Sequence, residues 1–450
     1  MKRLVAFAML VVLVLVIAAI PAVSAQTGPQ QRYVINFRNS GIPSDLEQTV
    51  GNAGGQLVRT LPEVGIAVAV SSNPAFADTL GGLNSVQSVG PLPYYSLPQT
   101  QIVQPALDAP TVADDLYNGG LLWGINRVRA DVAWAAGYSG SHNTVVAVID
   151  TGIASNHPDL ASNLVFAACF ASTPTCNPYP SLSYHGTHVA GTVAAAFGSG
   201  RVVGVGPNLG LASYNTFEVI PDCGVCSYSD SRWAAMIDAA SRGFEVINMS
   251  LGGLGVFGGQ GTNELAAYRQ AENRVANYVQ SLGTVMVASA GNEELDLNGP
   301  IMHFPGDVPG IISVAATGIR PDPIYPQDGA FDVIAFYSNF GAPVTVSAPG
   351  GDCGPTEVCS TPNYLILSTY VVANPTCAAT QSCAVGYAWT GGTSMASPHV
   401  AGVVGLLRDA NPGLRPNQVE ATIKRTAENL GDRQLFGHGM VDAAAALGLD

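Results

Sequence analysis

The feature that most restricts how this chain can fold is a series of short runs, apolar or β-branched on both faces: Thr144–Ile149, Leu211–Tyr214, Val246–Met249, Val285–Ser289 and Ile311–Ala315. A strand with no polar face must be covered on both sides, which is the mark of a parallel sheet flanked by helices. Helical stretches at Ser231–Arg242 and Asn263–Leu282 lie between these runs. The alternation predicts an α/β fold with a doubly wound, mainly parallel sheet. The first run ends in Asp150, Thr151 and Gly152, so Asp150 is expected at the carboxyl end of a central strand, the edge where such sheets build their sites. At 450 residues, with 47% hydrophobic and only 11% charged residues, the chain can bury a large core.

Upstream, the pattern changes. Met1–Ala25 carries Lys2 and Arg3, the apolar run Leu4–Ile20 and the small-residue end Val23-Ser24-Ala25, and reads as a secretory signal peptide. The run is close to the shortest spanning length, so an uncleaved anchor is the alternative. Residues 26–98 predict a small α+β, ferredoxin-like domain. Its strands are expected at Arg32–Arg38, Gln56–Arg59, Val64–Val70 and Val86–Val89, its helices at Ile42–Gly51 and Asn73–Leu83, in the order β-α-β-β-α-β. Residues 99–117, within a stretch rich in Pro, Gln and Ser, are expected to form an exposed linker open to cleavage, and residues 118–450 the large domain. The formal charge of −14 argues against nucleic acid or an anionic membrane as partner.

Export gives meaning to the 8 cysteines: Cys169, Cys176, Cys223, Cys226, Cys353, Cys359, Cys377 and Cys383. They fall into sequence-local pairs that predict neighbour-to-neighbour disulfides, although the sequence alone leaves other pairings open. Cys223-Gly-Val-Cys226 could instead be a redox or zinc motif, but there is no second CxxC to match it.

Chemistry gathers in two further blocks. Gly391-Gly-Thr-Ser-Met-Ala-Ser-Pro-His-Val-Ala-Gly402 precedes the apolar run Val403–Leu407 and puts Ser394 where a loop becomes a buried helix. Unpaired backbone N–H groups at such a junction suit a developing oxyanion, while the plainer reading is a Ser-Thr cap on a core helix. Tyr184-His-Gly-Thr-His-Val-Ala-Gly191 opens a second small-residue helix. His185 and His188, three apart, could share a metal, but no nearby carboxylate supplies a third ligand.

The order Asp150, His185, Ser394 resembles that of the subtilisin-like serine proteases, the subtilase family. The resemblance is carried by Val148-Ile-Asp-Thr-Gly152, by the His185 block, by Asn248-Met-Ser-Leu-Gly-Gly253, by Ala290-Gly-Asn292 and by Gly392-Thr-Ser-Met-Ala396. It implies a serine endopeptidase that needs no cofactor for chemistry, with Ser394 as nucleophile, His185 as base, Asp150 as orienting acid and Asn292 as oxyanion donor. His188 and His399 are then packed helix residues. Ser250, Leu251, Gly252 and Gly253 are expected to pair with an extended peptide, where a plain glycine-rich turn is the alternative. Ala290 and Gly291 would wall the pocket for the residue before the cut, and His303 would narrow it or make it polar. Asp159 matches a calcium ligand of the family. The partner loop Ala195–Val205, however, has Phe197-Gly-Ser-Gly200 where a ligating asparagine is expected, so any structural calcium should be weak, with disulfides taking over some of its stabilising role. Residues 26–98 resemble the family's inhibitory propeptide, with a retained binding module as the alternative. The partners expected are protein or peptide substrates and the chain's own propeptide, for a secreted, extracellular monomer that leaves the membrane once its signal is cut. An inactive protease-shaped binding protein and a hydrolase of other esters or amides are the rival readings.

Overall fold

The structure is a computed structural model that describes residues 30–39, 41–97, 104–106, 112–256, 262–319, 332–354 and 362–449. The signal segment and Cys359 lie outside the described residues, as does most of the predicted linker.

The N-terminal unit has strands β1 (Gln31–Phe37), β2 (Gly55–Leu61), β3 (Ile66–Ser71) and β4 (Val86–Pro91), with helices α1 (Leu46–Asn52) and α2 (Phe76–Gly81). Its antiparallel sheet runs β2-β3-β1-β4. Strand alternation gives this small sheet two apolar faces. Ile35, Phe37, Ala67 and Ala69 pack with Leu46, Val50, Phe76 and Leu80 of the unit's own helices. Val34, Ile66 and Val68 join a core of the large domain. The second face therefore needs the rest of the chain to cover it.

Beyond this unit, β5 (Tyr94–Ser96) and β6 (Gln104–Ala106) are short strands that pair with distant parts of the molecule, and α3 (Asp115–Asn118), α4 (Trp123–Arg127) and α5 (Ala130–Ala135) lead into the large domain. β6 falls within the stretch read as exposed linker, yet it pairs antiparallel with β20 (Val385–Thr390), the partner of β19 (Ile366–Val371).

The central sheet contains β7 (Val145–Asp150), β8 (Leu164–Cys169), β9 (Gly210–Asn215), β12 (Val246–Met249), β14 (Val285–Ser289), β16 (Ile311–Gly318), β17 (Val333–Ile334) and β18 (Val346–Pro349). Its order is β17-β16-β14-β12-β7-β9-β8, with β18 also on β16, and every pairing is parallel except β17 on β16. On β7 the two periods separate cleanly: Val146 and Val148 pack with α6 (His185–Ala194) and α10 (Thr393–Ala410). Val145, Ala147 and Ile149 pack with α7 (Ser229–Ser241) and α8 (Thr262–Ser281). The chain leaves β7 for β8 and β9 on one side and then crosses to β12 on the other, so the end of β7 is a topological switch point.

Two antiparallel pairs stand outside the central sheet: β10 (Phe217–Ile220) with β11 (Gly224–Tyr228), and β13 (Gly253–Val256) with β15 (Ile301–Phe304). Disulfides join Cys169 to Cys176, Cys223 to Cys226 and Cys377 to Cys383, each the neighbour pairing expected. Cys353 is also disulfide-bonded.

Candidate active site

Asp150 closes β7 and His185 opens α6, and their meeting depends on a glycine. An ideal Cβ at Gly186 would lie 2.7 Å from the Gly152 carbonyl oxygen and 3.1 Å from Asp150 Cβ, so a larger residue would push α6 off the strand end. With that gap closed, His185 Nδ1 lies 2.9 and 3.0 Å from the two Asp150 carboxylate oxygens. Both residues are buried, and the carboxylate also accepts the Thr151 N–H at 2.7 Å. These acceptors fix Nδ1 as the protonated nitrogen and leave Nε2 as the acceptor. Nε2 is buried and has no hydrogen-bond partner.

Ser394 lies in the first turn of α10, after Gly392. Its hydroxyl donates to the Ser250 carbonyl at 3.2 Å, and no hydrogen bond joins it to His185 among the described residues. The local cause is legible in the chain. Pro398 has no N–H, so the Ser394 carbonyl is not drawn into the i to i−4 ladder of the helix. Ser250 Oγ takes that carbonyl at 2.8 Å, Asn248 Nδ2 donates to Ser250 Oγ at 3.0 Å, and Ser397 Oγ donates to Asn248 Oδ1 at 2.7 Å. The end of β12 and the start of α10 are thereby tied together around Ser394. Nothing in the sequence reading singled out Ser397.

Asn292 follows β14. Its Oδ1 accepts from the Thr393 N–H at 2.9 Å and from Thr393 Oγ1 at 2.7 Å, which fixes the amide orientation and leaves Nδ2 as its donor group. Asn292, Gly291, Glu293, His303 and Thr393 line a cavity of about 400 Å³, with Tyr94, Tyr95 and Ser96 on its other side. His303 is buried, burial lowers its pKa, and its ring carbons lie 2.5 and 2.6 Å from ideal Cβ positions on Gly252 and Gly291. The ring thus spans the space between two glycine backbones. Ala290 is buried and its carbonyl accepts Asn339 Nδ2 at 2.9 Å. Leu251 points into the core shared with α7 and α8.

The extended segment on this cavity belongs to the chain itself. β5 pairs antiparallel with β11, Tyr94 opposite Tyr228 and Ser96 opposite Cys226, and the Leu97 N–H continues the ladder to the Val225 carbonyl at 3.0 Å. β11 was missed in the sequence, where Gly224–Tyr228 shows no two-faced apolar run. Of the segment Ser250–Gly253, expected to receive a peptide, Gly253 packs against the Tyr95 ring and opens β13, which pairs with β15.

Two further histidines are packed in the core. His188 is buried, with Nε2 at 3.1 Å from the Ala388 carbonyl, and burial lowers its pKa to about 3. His399 Nδ1 lies 2.8 Å from the Met395 carbonyl and is likewise lowered by burial to about 4. Both are neutral core residues, as expected.

Asp159 does not have the surroundings of a calcium ligand. It is fully buried; Oδ2 accepts the Arg201 N–H at 3.4 Å, Oδ1 has no partner, and Gly200 stands where its Cβ would be 2.1 Å from the carboxylate. The nearby Asp114 gives both oxygens to the Gly198 N–H at 3.0 Å. Calcium asks for about six to eight oxygens. N–H donors face these carboxylates, and no cluster of three or more His, Cys, Asp or Glu that could hold a metal exists among the described residues. The set does not fit the ion. Burial instead pushes the Asp159 carboxyl up to about 7.

Comparison with known proteins agrees with this architecture. The subtilase family profile, peptidase S8, matches residues 141–439. Subtilisin DY of Bacillus licheniformis is 33% identical over 324 residues, 72% of this chain and 97% of that protein. Alkaline elastase YaB of Bacillus sp. (strain YaB) is 34% identical over 328 residues, 72% of this chain and 69% of that protein. Among solved structures, fervidolysin of Fervidobacterium pennivorans, described as a keratinolytic enzyme related to subtilisin, superposes with a TM-score of 0.70 at 25% identity, over 94% of this chain and 61% of its own. The epidermin leader peptide processing protease of Staphylococcus aureus, at 20% identity and a TM-score of 0.70 over 94% of this chain and 99% of its own, shows the same fold. The chain belongs to the subtilase family, the subtilisin-like serine endopeptidases.

Proposed function

We propose that this subtilase is a secreted endopeptidase that hydrolyses peptide bonds through an acyl-enzyme on Ser394 and is held inactive until its N-terminal segment is removed. The observation that carries the catalytic reading is the buried Asp150–His185 pair, whose Nε2 has no partner. A serine hydroxyl is a poor nucleophile until a base accepts its proton. Rotation of the Ser394 side chain away from the Ser250 carbonyl passes its proton to Nε2 as the oxygen attacks the scissile carbonyl. Asp150 stabilises the imidazolium, which then protonates the leaving amine. Asn292 Nδ2 and the Ser394 backbone N–H donate to the oxyanion, and the Thr393 contacts to Asn292 Oδ1 keep the amide turned for that work. Water repeats the sequence to release the acid. None of these steps uses a metal.

The inhibitory reading rests on β5. An extended substrate needs an open strand edge, and β11 is already paired with the N-terminal segment. Cleavage within residues 99–117 frees that edge, and the leader at residues 1–25 directs export. His303 then shapes the pocket for the residue before the cut.

Casein hydrolysis, fluorophosphonate labelling and N-terminal sequencing of the active species test the proposal together. The label is expected on Ser394, Ser394→Ala is expected to abolish both label and hydrolysis, and the mature N-terminus is expected beyond residue 98. Labelling without proteolysis favours a hydrolase of other esters or amides. No label on the matured protein refutes the catalytic assignment, and an active species beginning before Pro91 refutes the removed propeptide.

A further inference from the structure

The segment on β11 inserts one side chain deeply. Tyr95 is 7% exposed, and an ideal Cβ at Gly253 would lie 2.2 Å from its Cδ1, so only glycine leaves room for the ring. Its hydroxyl meets the Tyr268 hydroxyl at 2.6 Å. Arg232 Nη2 donates to the same Tyr268 oxygen at 3.0 Å and also bonds Glu272, which accepts the Tyr268 O–H. Arg232 and Glu272 are both buried, and Arg232 Nε and Nη1 and Glu272 Oε2 have no partner. Trp233 and Phe304 share the core around them.

An aromatic ring alone is held as well by an apolar floor, and a buried ion pair is poor value as a source of stability. What this floor adds is polarity at the far end of the ring. A site whose buried polar groups bond a hydroxyl rejects the analogue that lacks it, because those groups are then left unpaired. We propose that the Tyr95 socket is a substrate subsite upstream of the cut that selects tyrosine over phenylalanine, with Tyr268, held by Arg232 and Glu272, as the specificity-determining group. The inference rests on the reading that β11 receives substrate once the N-terminal segment has left.

Enzyme matured from the full chain is incubated with a proteome-derived peptide library and the residues around each cut are read. Tyrosine is expected to exceed phenylalanine at one fixed position before the cut, and matched peptides differing only there should differ by roughly tenfold in kcat/KM. The amide acetyl-Pro-Tyr-Tyr-Ser-Leu, from residues 93–97, should inhibit more strongly than its form with phenylalanine at the Tyr95 place. Tyr268→Phe should bring the Tyr-to-Phe ratio towards one. Equal turnover of the matched peptides by the unaltered enzyme overturns the subsite, whether or not Tyr268→Phe folds. Absence of any cleavage of the library removes instead the proteolytic reading beneath it.

Discussion

Asp230 offers a quantitative test of how the N-terminal segment is held. It lies in the first turn of α7, fully buried, and its Oδ2 accepts from Arg32 Nη2 at 2.8 Å and Arg59 Nε at 2.9 Å, both guanidinium groups coming from the N-terminal unit. Asp230→Asn removes the charge and leaves two cations facing a neutral amide. Removing one partner of a buried pair costs about 2 to 5 kcal/mol, because the other charge stays out of water. Each arginine keeps a second anchor: Arg32 donates to Ser172 Oγ at 2.8 Å and lies 3.9 Å from the centre of the Tyr228 ring, and Arg59 donates to the Phe170 carbonyl at 2.9 Å. The lower half of the range therefore applies, about 3 kcal/mol, or roughly 150-fold in Kd. Once the segment leaves, position 230 regains water, so the loss falls on association and leaves the free enzyme's stability nearly unchanged. The assay uses the full chain with Ser394→Ala, which cannot cut itself, carrying a foreign protease site between residues 98 and 103. After that site is cut, the dissociation rate of the segment is followed by gel filtration of diluted samples. Dissociation of the Asp230→Asn complex within about threefold of the parent would show that the ion pairs do not hold the segment and would refute the reasoning.

Other substitutions probe the site and the core. Asn292→Leu should lower kcat by about 10²- to 10³-fold with little change in KM, the effect known for the corresponding donor in subtilisin, and steady-state kinetics in which KM alone moves would remove Asn292 from the oxyanion role. His303→Gly should widen the space between Gly252 and Gly291 and raise kcat/KM for peptides with a bulky residue before the cut by about tenfold relative to small ones. An unchanged ranking of substrates would sink that assignment. Asp159, ordinarily at 3.8 and raised to about 7 by burial, holds its proton more tightly folded than unfolded. That contribution to stability is complete below the unfolded value, declines as pH climbs from there to about 7, and is absent above it. Asp159→Asn should therefore raise Tm by several degrees near pH 8 and leave it unchanged near pH 4. An equal effect at both pH values, or a rise in the parent's Tm on adding calcium, would contradict the reading of Asp159 as a buried acid.

What the sequence discloses depends on whether the cause is local. The central strands were legible because Val145–Ile149 must be apolar on both faces to lie between α6 and α10 on one side and α7 and α8 on the other. The meeting of Asp150 with His185 was legible through the resemblance to the subtilases; that Gly186 is what lets the helix approach the strand end emerges only from the structure. The β11 edge was not, since Gly-Val-Cys-Ser-Tyr owes its conformation to partners on either side, one of them Tyr94–Ser96, far upstream in sequence. The loop around Gly200 was legible only in part: the missing ligand was visible, but the N–H donors that face Asp159 come from backbone geometry that residue types do not encode. Likewise the two-sided core of the N-terminal sheet was not legible, since it is α8, far along the chain, that packs on β1 and β4.

The Cys223–Cys226 bridge ties the turn after β10 to β11, and both strands belong to a small sheet separate from the central one. The bridge therefore braces the pair of strands on which β5 lies, with its Cys226 end buried, independently of the sheet that carries Asp150.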